Sequence, residues 1–199
     1  MEIKANALII IDPQNDFIKG SLAVPGAEEA MNNIIKFIED HKQDLGYIAV
    51  TLDWHPLSHC SFKEFGGSWP PHCIQYSEGA AIYEPLMKAI IDSDIPVEFW
   101  TKGELLLEEE YSILESGNEY PFCGELSERT TINIDKEQFG EIYVAGLAGD
   151  YCVYHTLKDL IESDFGFSDW LHVVSKGVAS IDDGTTLSNL CYEYKIPMV

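Results

Sequence analysis

Five consecutive apolar residues, Ala7-Leu8-Ile9-Ile10-Ile11, run straight into Asp12. A run this short, rich in β-branched residues and unbroken by polar ones, reads as a strand buried on both faces. Such a strand needs a covering layer on each side, and the rest of the chain offers them. Within Glu28 to His41, apolar residues at Met31, Ile34, Ile35 and Ile38 form a helical stripe. Tyr47 to Leu52, Val97 to Trp100, Ile142 to Ala145 and Leu171 to Val174 read as further strands. Ala80 to Ile91, with Pro85 near its first turns, and Val153 to Ile161 read as helices, and Thr185 to Tyr194 as a candidate last one. Strands alternating with helices predict an α/β fold with a parallel sheet.

At 199 residues the chain fits one domain, 1–199, able to bury about 70% of its unfolded surface without a disulfide or metal staple. The segment 103–140 fits the alternation least well. It holds an acidic run and the turn-prone stretch Tyr120-Pro121-Phe122-Cys123-Gly124. It reads as an irregular insertion with some helix, of the kind that forms a lid.

Asp and Glu number 34 against 12 Lys and Arg, a formal net charge of −22, and Arg129 is the sole arginine. Nucleic-acid affinity rests on Lys and Arg contacts to phosphate, so DNA, RNA and anionic membranes are not expected partners. Met1-Glu2-Ile3-Lys4 is no signal peptide, and the first apolar run is too short for a signal core or a membrane span. Five cysteines, an odd number, suit a reducing cytoplasm.

In open parallel sheets, ligands bind outside the carboxyl ends of the strands. The residues that follow each strand are Asp12; Asp53-Trp54-His55; Thr101-Lys102; and Gly146-Leu147-Ala148-Gly149-Asp150-Tyr151-Cys152. A single strand-terminal aspartate is usually a turn former, and a single cysteine a small buried hydrophobe. Several strand ends that bring carboxylate, amine, imidazole and thiol to one edge carry more weight. Cys152 is the best nucleophile candidate. It stands at the expected start of a helix, where free N–H groups favour thiolate, and Lys102 would lower its pKa further. Gly146 and Gly149 let backbone N–H groups approach an oxyanion. Asp12 is placed to exchange a proton with the thiol and the leaving group. Serine-hydrolase, P-loop and dinucleotide motifs are absent from the sequence.

A second constellation is Asp53-Trp54-His55-Pro56-Leu57-Ser58-His59 followed by Trp69-Pro70-Pro71-His72-Cys73. Imidazole with carboxylate suits zinc, iron(II) or manganese(II), and two or three protein ligands would leave the site open to substrate. On spacing alone, His59 and His72 serve equally well as turn caps packed beside Trp54 and Trp69. Cys60 and Cys73 are nearby donors, although thiolates favour a closed structural site. His41, His155 and His172 are expected on helix or strand surfaces.

Together these motifs resemble the nicotinamidase/pyrazinamidase branch of the isochorismatase-like cysteine hydrolases. The stretch Asp12-Pro13-Gln14-Asn15-Asp16-Phe17, the two metal motifs, Lys102-Gly103 and Gly146 to Val153 follow that family's order, and the likeness runs from about Ala7 to Val174. The resemblance implies a three-layer α/β/α domain with a central, mainly parallel sheet. It implies that Cys152 attacks the carboxamide carbon of nicotinamide. Asp12 would take the thiol proton, deliver it to departing ammonia and activate water, while Lys102 holds the Asp12–Cys152 pair charged. The oxyanion would rest on the N–H groups of Ala148 and Cys152, beside a cis peptide between Leu147 and Ala148. Asp53, His55 and His72, with His59 as a further ligand, would bind one divalent metal, zinc before iron or manganese, and the pyridine nitrogen would coordinate it. Phe17, Trp69, Leu147 and Tyr111 would contact the substrate.

The chain departs from the family at Gly149, where Thr or Ala is usual and a looser loop is expected, and after Tyr111-Ser112. The run Glu108-Glu109-Glu110 is unusual so close to the site. The expected activity is nicotinamide hydrolysis in NAD salvage, with pyrazinamide also accepted. Another small amide or ureide hydrolase of the superfamily, or a non-catalytic binding protein, stays open. So do a homo-oligomer and a Cys73–Cys152 disulfide formed on oxidation.

Overall fold

The computed structural model describes residues 5–114, 139–163 and 168–199. Five parallel strands form one sheet in the order β3-β2-β1-β4-β5, where β1 is Ala5–Ile11, β2 Leu45–Asp53, β3 Val97–Lys102, β4 Phe139–Leu147 and β5 Leu171–Ala179. The helices are α1 (Asn15–Ile18), α2 (Ala27–His41), α3 (Glu84–Ser93), α4 (Cys152–Glu162) and α5 (Thr185–Tyr194). The apolar run is the middle strand, and Ala7 to Ile11 are wholly buried.

Alternate β1 side chains face opposite layers, as a period of two requires. Leu8 and Ile10 pack with Met31, Ile34 and Ile38 of α2 and Leu86 and Ile90 of α3. Ala7, Ile9 and Ile11 pack with Val153, Leu157 and Leu160 of α4 and Leu187 and Leu190 of α5. This is the three-layer α/β/α arrangement. Each such aliphatic side chain contributes about 1.5–3 kcal/mol by leaving water, so both layers are held by burial rather than by helix propensity.

Two boundaries differ from the periodicity in ways that matter for the site. α3 starts at Glu84, four residues later than its apolar pattern, with Pro85 in the first turn. Ile82 bridges Gln14 instead, and the Tyr83 N–H donates to the Pro13 carbonyl, so this stretch straps the loop after β1. The strands also extend past their apolar runs, because parallel pairing continues through polar residues: Asp53 pairs with Lys102, and Gly146 with Ile11. The short α1 and the 3-10 turns at Lys63–Phe65 and Ser168–Trp170 carry no periodicity to be read. Residues 103–114 form no helix or strand, and the remainder of the expected insertion, up to 138, lies outside the described residues. No helix among the described residues is long and apolar enough to cross a membrane.

Candidate active site

The carboxyl ends of β1, β2, β3 and β4 bring Asp12, Asp53, Lys102 and the start of α4 to one place. Asp12 has φ +48°, a left-handed conformation that turns the chain out of β1. Its N–H donates to the Thr51 carbonyl at 3.0 Å, and the Thr51 hydroxyl donates to its Oδ1 at 2.7 Å. Gln14 does the same service for β2. Its Nε2 donates to the Asp53 carbonyl at 2.7 Å and its Oε1 accepts the Asp53 N–H at 2.8 Å. Thr51 and Gln14 are fully buried. Neither was legible as a site residue, since a polar residue inside or just beyond a strand has no distinctive spacing.

Lys102 is wholly buried and ion-paired to both carboxylates, with Nζ 2.8 Å from Asp12 Oδ2 and in still closer contact with Asp53 Oδ1. The same ammonium lies 3.4 Å from Cys152 Sγ. Burial alone would lower the lysine pKa, but Asp12, Asp53 and Cys152 outweigh it and hold the ammonium charged, well above its ordinary value. Burial raises the Asp53 carboxyl, yet Lys102, His55 and His72 prevail and keep it well below the usual carboxylate range. Asp12 goes the other way. Burial, aided by the neighbouring Asp53 charge, lifts it above that range despite Lys102.

Cys152 opens α4 and is buried. Its thiol is pushed well above the ordinary value by burial, with Asp12 and Asp53 adding to that against Lys102. This corrects the expectation of a ready thiolate. The helix terminus and Lys102 were visible in the sequence, but the two carboxylates crowding the same lysine were not. A pKa raised in this direction favours the thiol at rest, from which a base takes the proton.

The Leu147–Ala148 peptide is cis. The Ala148 carbonyl accepts the N–H groups of Tyr151 and Val153, and Gly149 N–H donates to Ala179, so the N–H groups of Ala148 and Cys152 are not engaged in this turn. A Cβ at Gly149 would lie 2.2 Å from Ser180 Oγ and 2.9 Å from Val178 Cγ1, so β5 fills the space a side chain would take.

Beside this group, donor atoms of Asp53, His55 and His72 lie within 4.8 Å of one another. His55 Nδ1 stands 2.9 Å from the Gly103 carbonyl and His72 Nδ1 2.8 Å from the Pro70 carbonyl. A carbonyl only accepts, so both Nδ1 atoms carry the proton; burial would lower the His55 pKa but Asp53 and the Gly103 carbonyl raise it, and in the neutral rings both Nε2 atoms present lone pairs. These lone pairs face Asp53 Oδ2 at 3.5 Å and 3.7 Å, and His55 Nε2 is buried without a hydrogen-bond partner. Three acceptors converging without a donor fit a divalent cation, with the carbonyls orienting the imidazoles from behind. Gly103 has φ +66°, and a Cβ there would lie 2.4 Å from the His55 ring, so only glycine lets that ring sit where it does.

His59 stands apart from this set, stacked on His55 with ring centroids 4.1 Å apart. Its Nε2 faces the Glu108 carbonyl at 2.8 Å and its Nδ1 the Ser61 hydroxyl at 2.7 Å. Among the described residues, neither Cys60 nor Cys73 joins a donor cluster, and both are free thiols. His41, His155 and His172 are half-buried on α2, α4 and β5.

Above these groups lies a cleft lined by Phe17, Trp69, Tyr111, Tyr151, Asp53, His72, Ala148 and Cys152, among others. Its free volume is about 20 Å³, room for roughly one water, so its rim must part to admit an aromatic ring. The rim is aromatic: Trp69 Nε1 donates to the Tyr111 hydroxyl at 3.2 Å, and Tyr151 meets the Trp69 ring edge-on at 4.9 Å. Leu147 does not line the cleft. It is wholly buried in the core beside α2, because the strand alternation turns it inward. Tyr151 and Glu109, both on the cleft wall, were not anticipated there.

The Isochorismatase domain model matches residues 6–98. The nicotinamidase/pyrazinamidase of Mycobacterium tuberculosis is 31% identical over 163 residues, 79% of either chain. The nicotinamidase of Saccharomyces cerevisiae is 30% identical over 177 residues, 75% of this chain and 78% of that protein. Among solved structures, the pyrazinamidase of Pyrococcus horikoshii in complex with zinc superposes with a TM-score of 0.71 at 27% identity, covering 98% of both chains. The yeast nicotinamidase does so with 0.76 at 26%, over 98% of this chain and 99% of that one. With this fold, this cluster of cysteine, carboxylates and lysine, and relatives of this identity along most of its length, the chain belongs to the isochorismatase family, among its nicotinamidases and pyrazinamidases.

Proposed function

We propose that this protein hydrolyses nicotinamide to nicotinate and ammonia, and accepts pyrazinamide by the same route. The observation that carries the reading is the grouping of Asp12 and Lys102 with Cys152, which lines an aromatic cleft, beside a convergent Asp53–His55–His72 set. The substrate ring lies against Phe17, Trp69 and Tyr111, with its carboxamide carbon over Cys152 Sγ.

Asp12, with its raised pKa, accepts the thiol proton as Sγ bonds to the carboxamide carbon. The oxygen, now negative, rests on the N–H groups of Ala148 and Cys152, each of which contributes about 10²–10³ in kcat in comparable sites. Asp12 then returns its proton to the amide nitrogen, the C–N bond breaks and ammonia departs, leaving a thioester. Water attacks that thioester and gives its proton to Asp12. The C–S bond breaks, nicotinate leaves, and the proton returns to the thiolate. Lys102 stays ammonium throughout and offsets the carboxylate charge while the sulfur is ionised.

Asp53, His55 and His72 would hold the divalent metal, which when bound supplies a Lewis-acid anchor for the ring nitrogen. Zinc leads, and the ligand set suits iron(II) or manganese(II) as well. A mechanism that needs Cys152 as a thiol suits a reducing cytoplasm. The direct test is ammonia release from nicotinamide, run beside benzamide, which lacks the ring nitrogen, and beside Cys152→Ala. Release from nicotinamide, little from benzamide and none with the variant is the expected result. No release by reduced, metal-loaded protein refutes the proposal and returns the chain to another amide hydrolase or a binding protein.

A further inference from the structure

The run Glu108-Glu109-Glu110 stands out in the sequence as unusual so close to the site. In the structure it is a strap across the histidines, and each residue does something different. The Glu108 carbonyl accepts the His59 Nε2–H at 2.8 Å. Glu110 is 5% exposed, and its Oε2 accepts the Gly103 N–H at 2.7 Å. The Gly103 carbonyl in turn accepts the His55 Nδ1–H at 2.9 Å. Both neighbours of Glu109 are thus tied to the framework that orients the two rings.

Glu109 itself lines the cleft with Asp53 and His72. A carboxylate oxygen of Glu109 lies within 4.8 Å of ring nitrogens of both His55 and His59. Among the described residues it accepts no hydrogen bond and forms no ion pair. This cluster shares His55 with the Asp53–His55–His72 set, and a half-buried carboxylate beside imidazoles, with no donor of its own, favours a cation there.

We propose that Glu109 is a further protein ligand of the divalent metal, alongside Asp53, His55 and His72. The proposal rests on the metal reading above. It also separates Glu109 from His59. The Glu108 carbonyl fixes the proton on His59 Nε2, and the Ser61 hydroxyl occupies Nδ1, so His59 can bind metal only by breaking one of these bonds. Glu109 has nothing to break. Two carboxylates with neutral imidazoles also balance the charge of a divalent ion, which Asp53 alone does not.

The test is chelator competition on the cobalt(II)-loaded full-length chain, read by the visible absorption of the metal, for wild type, Glu109→Gln and His72→Ala. The proposal expects Glu109→Gln to weaken affinity at least about tenfold and to change the absorption band. Glu109→Ala is the second variant and loses the bond even where a glutamine amide could substitute. Unchanged affinity and band in both Glu109 variants, with affinity lost in His72→Ala, overturns the role of Glu109 and leaves the metal site standing. Unchanged affinity in His72→Ala overturns the metal reading itself.

Discussion

The two halves of the site are built on opposite rules. Around Lys102, charge is met by protein groups: one buried ammonium is shared by Asp12, Asp53 and the Cys152 sulfur, with Thr51 serving the remaining oxygen of Asp12. Around Asp53 Oδ2, two imidazole lone pairs and a carboxylate oxygen face each other with no donor between them. The first half is satisfied by protein atoms, and the second is a cluster consistent with a divalent metal site. Asp53 belongs to both, one oxygen toward the lysine and the other toward the histidines. A protein that must both move a proton and hold a flat ring gains by this division. The proton chemistry stays in a water-poor compartment around one buried ammonium, while on the proposed reading the ring is held by an added group that takes no part in proton transfer.

Substitutions in each half break this comparison differently. Cys152→Ala removes the nucleophile, and kcat falls by on the order of 10⁵ or more while nicotinamide still binds in equilibrium dialysis. His72→Ala acts on the other half: nicotinamide kcat/KM falls roughly 10²-fold, and the preference over benzamide collapses in steady-state assays. An undiminished preference in that variant would mean the ring nitrogen is read elsewhere. Thr51→Val deletes only the hydroxyl that orients Asp12. The loss of one hydrogen bond to a charged group, about 1.5 kcal/mol, predicts a kcat reduced roughly tenfold with metal content unchanged.

The smallest effect is on pH dependence. Asp12 works as a base only when ionised, and burial raises its pKa above the ordinary carboxylate range. Activity is therefore present above that raised value and lost as pH falls through it, so the acid limb of kcat/KM lies above the range of a free aspartate. The Thr51 hydroxyl bonds the ionised carboxylate, so Thr51→Val moves the limb further upward. A limb that stays put or moves down would separate it from Asp12.

The sheet was legible because β1 carries an unbroken apolar run from Ala7 to Ile11, and because helical and strand periods alternate after it. Strand ends were not, since the pairing that carries β2 to Asp53 and β3 to Lys102 is a backbone property that polar side chains do not announce. The residues at those ends could be read because parallel topology gathers them at one edge. What escaped were the supports. Thr51 and Gln14 act through hydrogen bonds that only folding creates, and Glu109 and Glu110 resemble any exposed acidic run until the chain carries them over His55. Leu147 failed in the reverse direction. The family resemblance set it against the substrate, but side-chain alternation buries it. The state of Cys152 needed the whole charge set, not the lysine alone.

The central claim is that Cys152 bonds covalently to the carbonyl carbon of a ring held in this cleft. Pyridine-3-carbaldehyde, labelled with carbon-13 at the aldehyde, tests it by NMR on the metal-loaded protein. The account predicts a new tetrahedral carbon signal from a thiohemiacetal with wild type and its absence with Cys152→Ala. A labelled carbon that shows only free aldehyde and hydrate in both proteins, while wild type turns over nicotinamide, would contradict it.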